Sequence, residues 1–175
     1  MNIGIVTTWF ERGAAYVSKQ FENELEGSFK VFIYARGGEY YAKGDPQWNK
    51  ANVTWGKRSH LYRSTQIYLP HFKEWIRQNK IDLIIFNEQH EWKPVIECTK
   101  LGVITGAYID YYKHETVPFF KAYDFLICNT KRHHSVFSWH PQAFYVPWGT
   151  NTELFKPLDH PRKDTKLVFF HSCGM

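Results

Sequence analysis

Residues 81–110 read IDLIIFNEQHEWKPVIECTKLGVITGAYID, and the order of their patterns decides the fold class. Ile81 to Phe86 is an almost continuous apolar run of strand length, bounded on its far side by the polar cluster Asn87-Glu88-Gln89-His90. A helix is expected next, from Trp92 to Lys100, with Pro94 in its first turn and Gly102 closing it. Val103 to Ile109 then reads as a second strand that ends at Asp110.

The same alternation extends in both directions. Upstream, Ile3-Gly4-Ile5-Val6 is a strand, and Ala14, Val17, Phe21 and Leu25 follow at helical spacing, with Gly27 in a C-cap position. Lys30 to Ala35 is a second strand. The stretch from Arg36 to Arg63 is rich in glycine and tyrosine and has no steady period, apart from a short strand expected at Ala51 to Trp55. A helix is expected from about Ser64 to Asn79, with Pro70 either kinking it or marking a late start. Downstream, Thr116 to Ala122 reads as a short helix, Phe125 to Cys128 as a strand, Thr130 as the cap of a helix running to about Trp139, and Ala143 to Val146 as a strand. Regular alternation of this kind predicts an α/β domain, doubly wound, whose mostly parallel sheet carries helices on both faces.

Composition removes several classes at once. The 175 residues are 43% hydrophobic, 22% charged and 18% aromatic, which excludes disordered, collagen-like and coiled-coil chains. A net charge of +5 from scattered lysines and arginines predicts an ordinary solvated surface, and no apolar run reaches the length of a membrane span. The opening Met1-Asn2-Ile3-Gly4-Ile5-Val6 lacks the basic leader of a signal peptide, so a cytoplasmic protein is expected. Cys98, Cys128 and Cys173 are odd in number and widely spaced, as buried small hydrophobes would be. Nine histidines show no metal-binding spacing, so no metal is expected. Tyr40, Tyr41, Trp48 and Trp55 lack the interleaved basic residues of a nucleic-acid surface, and no nucleic-acid partner is expected.

In doubly wound sheets ligands lie beyond the carboxyl ends of the strands, and the polar clusters of this chain fall there. After the first strand, Thr7-Thr8-Trp9-Phe10-Glu11-Arg12-Gly13-Ala14-Ala15 brings Gly13 to a helix start, where backbone amides can meet a phosphate or a hydroxyl. Asn87, Glu88, His90 and Glu91 gather at one strand end, and Asp110, Tyr111, Tyr112, Lys113 and His114 at the next. Carboxylates and amides supply the donors and acceptors that hydroxyls need, and rings stack on C–H faces, so the two clusters together suit a carbohydrate or another polyol.

The run Val146-Pro147-Trp148-Gly149-Thr150-Asn151-Thr152-Glu153-Leu154-Phe155-Lys156-Pro157 resembles the V-P-N-G-V-D-T-E-x-F-x-P segment of retaining family-4 glycosyltransferases of the GT-B fold. Trp148 stands in place of the usual Asn and Asn151 in place of the usual Asp. Ile109-Asp110 stands where that family has a histidine.

The resemblance implies that residues 1–157 are an N-terminal, Rossmann-like acceptor-side domain, 158–165 an interdomain linker, and 166–175 the first strand of a truncated C-terminal, donor-binding domain. It implies transfer of a sugar from a nucleoside-diphosphate sugar to the hydroxyl of a glycan, lipid-linked or small-molecule acceptor, with retention. It calls for no cofactor beyond that donor substrate. Arg12 and Gly13 would face the donor, Asp110 would stand near the reacting sugar, and Asn87, Glu88, His90 and Tyr111 would meet the acceptor. Without the other domain in cis the segment is expected to be inactive. Peripheral contact with the inner face of a membrane is compatible with the charge. The alternative is a doubly wound module that binds a glycan or nucleotide and catalyses nothing; the orphan apolar strand Lys166 to His171 speaks against it.

Overall fold

The computed structural model describes residues 1–37, 40–59, 66–153 and 155–156. Seven strands form one sheet in the order β3-β2-β1-β4-β5-β6-β7, and every pairing is parallel. The strands are β1 (Asn2–Thr7), β2 (Lys30–Ala35), β3 (Val53–Trp55), β4 (Leu83–Asn87), β5 (Ile104–Ile109), β6 (Phe125–Cys128) and β7 (Ala143–Tyr145). The helices are α1 (Gly13–Glu26), α2 (Leu69–Gln78), α3 (Lys93–Lys100) and α4 (Lys131–Val136), with a 3₁₀ helix at His114–Ala122.

Side-chain alternation along the strands divides the interior into two layers. Ile5, Val31, Ile33 and Ala35 pack with Ala15 of α1, whereas Val6, Tyr34, Ile84, Phe86 and Leu126 pack with Phe72 and Trp75 of α2 and with Val95 and Cys98 of α3. The chain winds outward from β1 to β3, then returns to the other side of β1 and winds outward again through β4 to β7. Crossovers of one hand, taken in two opposite directions, place their helices on opposite faces. The architecture is therefore the doubly wound α/β sheet expected from the sequence.

Several boundaries move for identifiable reasons. Pro70 marks a late start: α2 begins at Leu69 with the proline in its first turn, and Ser64 and Thr65 lie outside the described residues. Gly27 does follow α1, but with φ −65° it is right-handed and uses none of glycine's extra freedom. Gly102, at φ +71°, is the glycine whose left-handed backbone closes a helix, α3. Thr130 caps α4 by accepting from the His133 amide at 3.0 Å. The linker expected at 158–165 and the strand expected at 166–175 lie outside the described residues.

Two strand glycines have packing reasons. A Cβ on Gly4 would stand 2.6 Å from the Trp75 ring, and one on Gly106 would stand 2.1 Å from the Phe125 ring. Each glycine leaves the space that the edge of an aromatic ring occupies. Burial pushes the Cys98 thiol up to about 12 and that of Cys128 to about 11, so both remain inert thiols in the core. Among the described residues no helix is long and apolar enough to cross a membrane.

Replacing Gly4 by Ala is expected to cost about 1–3 kcal/mol of unfolding free energy through overpacking. Gly27→Ala, which meets nothing within 4 Å, is expected to be neutral or to stabilise by up to about 1 kcal/mol. Urea denaturation of the two variants checks the pair; equal midpoints contradict the assignment.

Candidate functional site

β1 is hydrogen-bonded to β2 on one side and to β4 on the other, so the winding reverses between β1 and β4. Among the described residues no crossover covers the carboxyl ends of these two strands, and a crevice of about 380 Å³ opens there. Arg12, Gly13, Ala14, Val17, Glu88 and Asp110 line it. Four residues singled out in the sequence, Arg12, Gly13, Glu88 and Asp110, therefore meet in one place from three separate loops.

The crevice has a cationic wall and an acidic one. Arg12 is the N-cap residue of α1; its side chain makes no capping hydrogen bond, and no acid stands in the helix's first turn. The positive end of the helix is thus left facing the crevice at Gly13 and Ala14. Opposite it, the Glu88 carboxylate lies 3.6 Å from an Arg12 nitrogen, and Asp110 lines the crevice beside it. Burial holds the Glu88 carboxyl above its ordinary range, against the downward pull of Arg12; the neighbouring Asp110 carboxyl adds to the rise. Because the protonated form is favoured in the folded state, stability falls as the pH rises from 4.5, the ordinary glutamate value, through the raised one.

Glu88 also has a left-handed backbone, φ +52°, a conformation that costs a non-glycine residue about 1–3 kcal/mol and persists only where its surroundings hold it. The holding group is Arg36, just beyond β2 and 1% exposed. Its Nη1 donates to the carbonyls of Asn87 (3.0 Å) and Glu88 (2.7 Å), and its Nη2 donates to Thr8 Oγ1 (2.5 Å) and lies 3.9 Å from the Glu88 carboxylate. Nothing in its sequence neighbourhood marks Arg36, because its partners come from loops remote along the chain.

Asn87, expected among the acceptor contacts, is buried beneath α1 instead of lining the crevice. Its Nδ2 donates to the Ala14 carbonyl (2.8 Å) and to Ser18 Oγ (3.0 Å), and Ser18 in turn donates to Thr7 Oγ1 (2.8 Å). It is a strut that fixes the first turn of α1 to β1 and β4. Asn87→Leu is accordingly expected to lower unfolding free energy by about 1–3 kcal/mol, measured by urea denaturation. Unchanged stability contradicts the strut role.

His90 and Tyr111 lie next door, edge to face with ring centroids 6.3 Å apart. They line a second pocket, of about 340 Å³, with Gln89, Trp92, Tyr112 and Lys113. Burial and then the charge of Arg36 lower the His90 imidazole below its usual range. The segment after β7 returns toward the crevice side, where Trp148 packs edge-on against Tyr108 at 6.3 Å. Asn151 there accepts the Glu153 amide at 3.0 Å through Oδ1, the bond an aspartate in its place would make. Among the described residues no group of three or more His, Cys, Asp or Glu side chains is placed to hold a metal.

No family model matches the chain, and no curated protein sequence does. Among solved structures, its fold is similar to that of MurG from Acinetobacter baumannii, with 10% identity and a TM-score of 0.50 over 83% of this chain and 43% of that one. The fold is GT-B-like. This chain therefore spans less than half the length of that protein, and the likeness is one of architecture alone.

Proposed function

We propose that this domain is the acceptor-side half of a glycosyltransferase that moves a sugar from a nucleoside-diphosphate sugar to an acceptor hydroxyl with retention. The observation that carries the reading is the crevice between β1 and β4, where Arg12 and the open amino end of α1 face Glu88 and Asp110. Support comes from the GT-B-like fold shared with MurG, a glycosyltransferase, and from the Val146 to Pro157 segment resembling family-4 enzymes.

Each wall has a chemical task in this reaction. When the bond from the anomeric carbon to the diphosphate oxygen breaks, the electron pair leaves with the diphosphate, and Arg12 and the α1 amides at Gly13 stabilise that growing charge. The acceptor oxygen bonds to the anomeric carbon on the face being vacated, and its proton passes to the departing phosphate oxygen. Asp110 accepts a hydrogen bond from the incoming hydroxyl and aims it. Glu88, His90 and Tyr111 hold the remainder of a glycan, lipid-linked or small-molecule acceptor, the rings stacking on its C–H faces. Closing a donor-binding domain over the crevice excludes water, which is why this half is expected to be inactive by itself. The scheme uses no cofactor other than the sugar nucleotide.

The test is to express the entire reading frame of the gene and assay it with a set of nucleoside-diphosphate sugars and glycan acceptors. Sugar transfer with the donor's anomeric configuration retained is expected, and Asp110→Asn should reduce turnover at least tenfold, about 1.4 kcal/mol of barrier. Sugar binding without transfer would leave a non-catalytic module, and turnover untouched by Asp110→Asn would remove that residue from the chemistry.

A further inference from the structure

Beside the crevice lies the pocket of about 340 Å³, and its walls are aromatic. Trp92 at the start of α3, Tyr111 and Tyr112 after β5, and Phe120 of the 3₁₀ helix bring four rings to it from three parts of the chain. We propose that this pocket takes a flat aromatic ring system, and that the acceptor is a hydroxylated aromatic compound whose ring lies here while its hydroxyl reaches the crevice. The pocket stands by itself; the role of its ligand as acceptor rests on the transferase reading above.

The amide and the threonine hydroxyl on the pocket wall are already engaged, which favours a ring over a sugar as occupant. Thr116 Oγ1 donates to the Lys113 carbonyl at 2.8 Å and accepts the Lys113 amide at 3.0 Å. Gln89 donates through Nε2 to the Glu91 carbonyl at 2.9 Å, and its Oε1 is shut away from solvent. The two charged residues of the lining, Lys113 and Glu115, are exposed. A sugar buried here would bring several hydroxyls to walls that meet few of them, and unmet hydroxyls are costly to bury. An aromatic ring brings no such demand and gains edge-to-face and offset contacts with the rings around it.

The rings are braced from behind. Phe120, 6% exposed, packs on Trp92 with centroids 5.1 Å apart and on Phe137 at 4.8 Å, and Tyr112 packs edge-on against Phe137 at 5.2 Å. A pocket held open in this way loses little freedom when a ligand enters. Its volume is near the low end of small-molecule sites, about 300–1,000 Å³, so it is sized for one or two fused rings and too small for a long lipid chain. A further cavity of about 10 Å³ is lined by Glu88 and Asp110 of the crevice and by His90, Tyr111 and Phe120 of the pocket, so the two spaces adjoin. In the transfer described above, the aromatic hydroxyl oxygen is the one that bonds to the anomeric carbon, and its proton passes to the departing phosphate oxygen.

NMR shifts of the backbone amides and indole N–H groups, followed as β-naphthol is added to the labelled chain, test the pocket. Saturable shifts are expected at residues 89–92 and 111–116, with the Trp92 indole among them, whereas methyl glucoside at the same concentration should leave them in place. Tyr111→Ala alters a side chain that is 59% exposed and outside the core, and it should weaken naphthol binding about threefold to tenfold. Trp92→Leu, checked for its fold by the amide spectrum, should weaken it further. Absence of these shifts, equal shifts from the glucoside, or a Tyr111→Ala affinity equal to that of the wild type overturns the proposal. With the entire reading frame expressed, sugar transfer to β-naphthol is expected, and transfer to glycans alone overturns the acceptor role. Since no sugar nucleotide enters the shift map, its failure is separate from any failure of the transferase reading.

Discussion

Everything distinctive about this domain follows from one topological constraint: β1 is flanked by two parallel strands that begin opposite windings. Connections of a single hand then carry α1 to one face and α2 and α3 to the other, so among the described residues nothing crosses the carboxyl ends of β1 and β4. The gap cannot be filled by the apolar core, because the loops leaving both strands expose main-chain groups that need partners. It is a polar crevice by construction, and its chemistry is set by which side chains those loops bring.

The polar floor beneath the crevice is held by hydrogen bonds, each buried donor or acceptor left unmade costing about 1–3 kcal/mol, and Asn87 Oδ1 is a buried acceptor there that has no partner. Arg36, Thr8, Asn87, Ser18 and Thr7 form a connected set there, joining β1, β4, α1 and the end of β2. A similar device lies further along α1, where buried Glu22 accepts from Lys50 at 3.0 Å and from Asn52 at 2.8 Å. These contacts hold the helix in one orientation. The apolar layers alone would let it slide or roll, and the position of Arg12 relative to Glu88 would then be lost.

The architecture was legible in the sequence because strand and helix periods are local. Lys30 to Ala35 and Phe125 to Cys128 form the strands their residues announce, and Gly102 and Thr130 end and begin helices as their chemistry directs. The helical period of α1 was legible too, but its deepest line runs through Ala15, Ser18 and Glu22 and not through Phe21 and Leu25. Ser18 and Glu22 look like surface residues until their partners, far away in the chain, are known. The same limit applies at the site. Glu88 and Asp110 could be named because they close apolar strands, whereas Asn87 passes for a ligand contact until its bonds to α1 are visible. Arg36 gives no local sign at all, as its function is defined wholly by loops that only the folded sheet brings together.

A ligand-binding crevice with a cationic wall at α1 and an acidic wall at Glu88 and Asp110 is the central claim. Its most direct measurement is a map of backbone amide shifts as a nucleoside-diphosphate sugar is added to the labelled chain. Binding is predicted to move the amides from Arg12 to Ala15 together with those of Glu88 and Asp110. Shifts confined to the opposite, amino-terminal end of the sheet, or none at millimolar ligand, contradict the account.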